Sequence, residues 1–359
     1  MGEKTARIAA LDVLRGLTVA LMIMVNNAGS SYGFMHHAEW NGLNLGDVVF
    51  PFFLFIMGAS TYLSLSKTDF RPHRQTVSHI IRRTVVIILV CWGIFWISRA
   101  LHGDFFPFDH FRLTGVLVRI ALTYEILATL AVTIDHKWMS HIAFGLLAGY
   151  AVLLLLGNGY SNDATNILAR VDKAILGPNH LYSRTPVDPE GIPGLIPSIA
   201  QGILGFLCGK ILKSDAGKTE KIRKAAIEGA TLLGAGVMLC GMLPVNKRIW
   251  SPTFVLVTSG MAELLLALLI YLIDVRNRSD SPICTFFKVF GTNALILYAF
   301  SELLGSVFSA TGLCEVCHVA LRGIIGNIQL SDLIYSFLFM MLNFLFGLIL
   351  YRKKVFIKI

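Results

Sequence analysis

The sequence predicts an all-α, polytopic integral membrane protein with about ten transmembrane helices and both termini cytoplasmic. Three observations carry this reading. Of 359 residues, 55% are hydrophobic and only 15% charged, with a mean hydropathy of +0.67; an ordinary soluble domain carries roughly 25% charge. Several apolar runs reach the ~20 residues that a helix needs to cross the hydrocarbon core. No segment alternates with period two over the ~10 residues of a membrane-barrel strand.

The spans follow in order, within a single domain over 1–359. Residues 8–27 form the first; Asp12 and Arg15 in "LDVLRG", no small-x-small cleavage site and the spans that follow argue against a cleaved leader. The second, 45–66, is almost wholly apolar, and the third, 80–100, opens on Arg82 and Arg83, which suit a charged membrane surface. The fourth, 114–134, buries Arg119 with no acid within a turn; Glu125, Glu263 and Glu302 are its candidate partners. The fifth and sixth, 138–157 and 193–212, carry Gly145/Gly149 and Gly205/Gly209 at the four-residue spacing of close helix packing. The remaining spans are 224–243, 253–273, 286–308 and 332–352, and 314–326 is too short to cross and reads as re-entrant or interfacial. The loop 158–192 reads as long and irregular.

Ten spans put both termini on one side. The loops of that side hold most of the 31 lysines and arginines, so the positive-inside rule makes it the cytoplasm. The net charge of +9 then reflects topology and attraction to anionic membrane lipids. No basic face interleaved with aromatics is seen, which excludes nucleic acid as a partner.

One stretch stands apart: "NNAGSSYGFMHHAEWNGLNLGDVVFPFF" at 26–53 holds two histidines, three further asparagines beyond the opening pair's first and two acids, but no lysine or arginine. It faces the extracytoplasmic side. Its glycines, serines and Trp40–Asn41–Gly42 break the helix, and irregular backbone at membrane depth is tolerated where protein buries it or a cavity is lined. A histidine there suits proton transfer near neutral pH, and the Asn26 amide suits an oxyanion. Adjacent His36 and His37 point about 100° apart on a helix and do not chelate one ion, so no metal is expected. "CEVCH" at 314–318 matches a haem-attachment pattern, but its apolar setting and the lack of a distal ligand favour a disulfide or two free thiols over haem.

Six segments in chain order resemble the transmembrane acyltransferase family typified by heparan-alpha-glucosaminide N-acetyltransferase, including its bacterial, NagX-like members. They are "LDVLRG" at 11–16, "NNAGSSYGFMHHAEWNGLNLGDVVFPFFLFIMG" at 26–58, "RLTGVLVRIALTY" at 112–124, "DPEGIPGLIPSIAQ" at 188–201, "PVNKRIWSPTFVL" at 244–256 and "VFGTNALILYAFSE" at 289–302. The resemblance implies acetyl-CoA as co-substrate, supplied from the cytosol, and an extracytoplasmic glucosamine-type amine or glycan as acceptor. It implies His37 as the catalytic histidine and Asn26 as its companion. It also implies a homodimer and a bacterial inner-membrane location, since the large lumenal N-terminal domain of the lysosomal enzyme has no counterpart here.

On this reading Trp40, Asn41, Asp47, Asp188 and Glu190 bind the acceptor, and the lack of cations in 26–53 admits a protonated amine. Arg15, Arg82, Arg83, Arg119 and Asn293 bind coenzyme A, with its phosphates near the cytoplasmic face. A secondary transporter for amino sugars, or an acyltransferase for another acceptor, is the alternative.

Overall fold

The computed structural model describes residues 8–182 and 185–356. Of the basic residues used for orientation, Lys4, Arg7, Arg184 and Lys358 lie outside the described residues. Thirteen α-helices and no strand occur among the described residues: α1 (Ala9–Asn26), α2 (Leu45–Leu65), α3 (Arg74–Leu101), α4 (Val116–Thr133), α5 (Met139–Leu156), α6 (Ile167–Leu176), α7 (Leu195–Lys213), α8 (Lys218–Leu239), α9 (Pro252–Leu269), α10 (Pro282–Thr292), α11 (Ala294–Ala310), α12 (Leu313–Ile325) and α13 (Ile328–Arg352). A helix satisfies its own backbone hydrogen bonds, which is what a chain without water must do.

Eight of these helices are long and apolar enough to span a membrane, and α10 with α11 adds a ninth, bent by 78°. The expected span at 224–243 is the exception, because α8 starts at Lys218 and brings Arg223, Lys224 and Glu228 with it. It still runs antiparallel to α9 along its length. Lys218 Nζ donates to the Asp274 carbonyl, Gly229 lies against the backbone of Gly260, and Gly236 against Val257. At 22 residues it extends about 33 Å. The apolar face of α9 supplies the burial that its own composition lacks.

Two local departures have clear causes. The ninth span breaks at Asn293, whose backbone leaves the helix (φ −127°, ψ 40°) and whose Nδ2 donates to the Val355 carbonyl at 3.0 Å. Within the supposedly irregular loop 158–192, α6 forms because Asn166 Oδ1 caps Leu168 N at 2.9 Å. The piece around 314–326 forms α12, whose Val316, Val319 and Ile324 are exposed, as an interfacial helix requires. Cys314 and Cys317 are free thiols.

The core is centred on α2 and α7, which cross at their backbones. A Cβ on Gly58 would come within 2.0 Å of the Gly202 carbonyl oxygen, and one on Gly205 within 2.0 Å of that of Phe55. Gly209 is similarly pressed on Ala59. Without a hydrophobic drive between helices in lipid, association rests on such close packing. Gly145 and Gly149 on α5 meet nothing within 4 Å, so the same spacing there makes no contact within the described chain. Asn26 ends α1, and Ser30 N donates to Asp332 at the start of α13; both ends of the described chain therefore lie at the pole opposite the 26–45 loop.

Candidate active site

The loop between α1 and α2 owes its shape to Asp47. In "NLGD", Asn44 is the N-cap of α2, and Asp47 sits at the third helical position in a capping box. Its Oδ2 accepts from Asn44 N at 2.9 Å and from Ala38 N at 3.0 Å, while Oδ1 lies 3.0 Å from His37 Nδ1. Gly46 makes room: a Cβ there would come 3.0 Å from His37 Nδ1. A carboxylate only accepts, so Nδ1 carries the proton and Nε2 keeps its lone pair. Asp47 is fully buried, whereas the His37 side chain is 47% exposed.

His37 faces a cavity of about 610 Å³, within the range of small-molecule sites. Val25 and Asn26 of α1, Cys91, Ile94 and Phe95 of α3, the start of α4, Tyr298 and Glu302 of α11, and Arg112, Glu190, Lys247 and Arg248 from loops line it. Asn26 Nδ2 donates to Glu302 Oε1 at 2.9 Å. An amide nitrogen has two hydrogens, so this bond orients Asn26 and leaves one donor. Beneath lies a small apolar recess of about 10 Å³ among Met22, Phe50, Phe53, Ile120 and Leu295, which shares Val116, Leu117 and Tyr298 with the cavity.

Lys247, not singled out from sequence, is the closest cation to the histidine. Its Nζ lies 3.0 and 3.1 Å from His37 Nδ1 and Nε2, and 3.8 Å from Asp47 Oδ1. The turn that delivers it is stapled to the histidine loop: Gly42 N donates to Val245 O at 2.8 Å, and Asn246 Nδ2 to Asn41 Oδ1 at 3.0 Å. Trp250, at φ +52°, closes the turn and anchors it through Nε1 to Gln201 Oε1 at 3.0 Å. Burial pushes the Lys247 ammonium down to about 8, against the opposing pull of Asp47 and Glu190. Its only sequence signal was the motif "PVNKRIWSPTFVL", where two cations precede a span.

The expected acceptor residues separate. Glu190 lines the cavity, but Asp188 is buried behind it. Arg112 Nη2 donates to Asp188 Oδ1 at 2.9 Å and to Glu190 Oε2 at 2.6 Å; Thr114 Oγ1 and Tyr182 N donate to Asp188 Oδ2. Trp40 and Asn41 do not line the cavity; Trp40 Nε1 donates to the Tyr160 carbonyl at 2.8 Å, so both residues hold the loop. Asp47 reaches the cavity wall with its oxygens already engaged. The absence of cations from 26–53 does not describe the site either, since Arg112, Lys247 and Arg248 arrive from other segments.

The five expected coenzyme A residues do not meet, and none lines the cavity. Arg15 ties α1 to its neighbours, donating to Asp12 Oδ1 (3.0 Å), the Gly291 carbonyl (3.3 Å) and Ser60 Oγ (2.6 Å). Arg82 is exposed on α3, and Arg83 lies 4.3 Å from the Tyr124 ring centroid. Arg119, buried near the cavity end of α4, donates to the Gly191 carbonyl at 2.8 Å and stands 5.2 Å from the Trp250 ring. Asn293 holds the break before α11. Charge within a bundle takes the nearest partner, which sequence distance does not reveal.

Burial alone raises the Asp188 carboxyl, but Arg112 and the hydrogen bonds from Thr114, Glu190 N and Tyr182 N outweigh it and hold it below the usual range. A depressed folded value adds stability above the unfolded value of about 3.9, lost as pH falls through the folded one. Asp188→Asn is therefore expected to destabilise the protein by roughly 1.5–3 kcal/mol at neutral pH and to flatten the acid limb of its thermal midpoint in detergent. An unchanged acid limb contradicts this role.

A family model described as "Heparan-alpha-glucosaminide N-acetyltransferase, catalytic" matches residues 7–240. Human heparan-alpha-glucosaminide N-acetyltransferase is 29% identical over 412 residues, covering 98% of this chain and 60% of the human protein. The mouse enzyme of the same name is 28% identical over 366 residues, covering 84% of this chain and 54% of its own length. The chain thus spans 54–60% of the length of these curated relatives. With the matched region reaching across most of the helical core and the His37 loop, the chain belongs to the heparan-alpha-glucosaminide N-acetyltransferase catalytic family.

Proposed function

We propose that this protein is a transmembrane N-acetyltransferase that moves the acetyl group of acetyl-CoA to the amine of a glucosamine-type sugar. The observation that carries the reading is the His37–Asp47 pair, with the imidazole lining a cavity that also holds Asn26 and Lys247. The relatives bear the name of that reaction. The acceptor amine loses its proton to His37 Nε2 as its nitrogen attacks the thioester carbonyl. Asp47, at 3.0 Å from Nδ1, stabilises the imidazolium that forms. The remaining Asn26 amide hydrogen meets the developing oxyanion, and Glu190 and Glu302 hold the amine or the sugar hydroxyls.

The donor is taken from the pole that carries the termini, which is the cytoplasmic pole on this reading, and the acceptor from the other. The apolar recess under the cavity is the route for the pantetheine arm, which opens as Phe50, Phe53 and Leu295 move apart. The cations at the cavity, not the four arginines and the asparagine first expected, are the groups in reach of anionic ligand atoms there.

In detergent, the purified protein is expected to release free coenzyme A from acetyl-CoA only when an amino sugar is present. Release that ignores the sugar, or sugar that accumulates unmodified in proteoliposomes, overturns the reading. Orientation has its own test. Glu39 is exposed in the histidine loop, so Glu39→Cys is expected to react with an impermeant maleimide on intact cells above the wild-type background; reaction only after lysis reverses the assigned sides.

A further inference from the structure

Acetyl transfer from a thioester needs more than a base. An alkyl thiol ionises near pH 8.5, as cysteine does, and a thiolate leaves faster the lower the pKa of its thiol. A proton delivered to the departing sulfur therefore helps the collapse of the tetrahedral intermediate. Asp47 is committed to Nδ1 of His37, Asn26 has only an amide to offer, and Arg112 and Arg248 do not give up protons. One cavity-lining group remains that both donates a proton and touches the base.

We propose, on the acetyltransferase reading above, that Lys247 is the general acid that protonates the leaving thiolate and is recharged directly by His37. Its Nζ lines the same cavity as the imidazole and stands 3.1 Å from Nε2. As the C–N bond forms, the amine proton passes to His37 Nε2. As the C–S bond breaks, a Lys247 Nζ proton passes to sulfur and leaves a neutral amine. The proton on Nε2 then crosses to Nζ, restoring neutral imidazole and ammonium, with amide and free thiol as the products. No other co-reactant is required.

The surroundings suit this cycle. Burial brings its titration down to about 8, with Asp47 and Glu190 favouring the ammonium and Arg248 opposing it; His37 packs on it, and Arg112 and Glu302 face the same cavity. The hydrogen bonds of Val245 and Asn246 to the histidine loop fix the register between base and acid. A surface lysine without a catalytic task has no need of such a rigid seat.

The test compares two donors and two variants. With acetyl-CoA, Lys247→Gln is expected to lower kcat by about 10²–10³-fold. With an acetyl thioester of nitrothiobenzoate, whose acidic thiol leaves unprotonated, the loss is expected to shrink below about tenfold. Lys247→Arg keeps the charge but not a transferable proton, so it is expected to remain as impaired as Gln on acetyl-CoA. The wild-type rate on acetyl-CoA should fall as pH rises past about 8, and both variants should lack that limb. Rescue by arginine, equal losses on both donors, or an alkaline limb that survives in the variants overturns the proposal; if the small thioester is not accepted, the arginine and pH results decide. Failure of the wild-type protein itself to acetylate an amino sugar overturns instead the acetyltransferase reading.

Discussion

His37→Ala is expected to lower kcat by roughly 10²–10⁴-fold, or about 3–5 kcal/mol of barrier, while acetyl-CoA still binds. The imidazole is the group in the cavity whose proton is placed by a buried carboxylate, with Asp47 Oδ1 at 3.0 Å from Nδ1. Asp47→Asn keeps the shape but frees Nδ1 from its fixed tautomer, and turnover should fall with it. Asn26→Ala should cost roughly 10²–10³-fold in kcat with little change in donor affinity. His36 is the control. Its Nε2 lies 3.1 Å from the Ser31 carbonyl and it does not line the cavity, so His36→Ala should stay within about tenfold. A dead His36→Ala beside an active His37→Ala places the chemistry on the other histidine.

Gly205→Val is expected to prevent accumulation of folded protein. A Cβ at Gly205 meets the Phe55 carbonyl oxygen at 2.0 Å, and the obstacle is backbone, which no rotamer change relieves. Overpacking typically costs about 1–3 kcal/mol; displacing α2 from α7 exceeds that range because both helices carry the core and α2 carries Asp47. Gly145→Ala, with nothing within 4 Å, should leave the thermal midpoint in detergent nearly unchanged, within about 0.5 kcal/mol. Similar midpoints for the two variants contradict the α2–α7 crossing.

These two sites mark what sequence reasoning reaches. The spans were legible because lipid demands long apolar runs, and their bounds agree with the helices to within a few residues except where charges extend α3 and α8. The break at Asn293 is hidden, since the apolar run continues through it and the Val355 carbonyl that its side chain meets lies 62 positions away. The histidine loop was legible because polar groups at membrane depth are conspicuous. Lys247 was not, because it reaches His37 across 210 positions through backbone bonds that no local pattern announces. Asp188 and Trp40 carry the chemistry of ligand contacts in the sequence, but in the fold their polar atoms hold loops. Acidic and aromatic side chains serve both ends equally well, and the partners that the fold brings to them separate the two.

Transfer across the bilayer is tested most directly in sealed proteoliposomes. Acetyl-CoA labelled in its acetyl group is enclosed on the side of the chain termini, and glucosamine is supplied on the side of the His37 loop. The expected result is labelled N-acetylglucosamine on the glucosamine side, with free coenzyme A retained inside and neither formed by His37→Ala. Glucosamine that enters unmodified, or labelled product that appears only when donor and acceptor share the side of the termini, contradicts it.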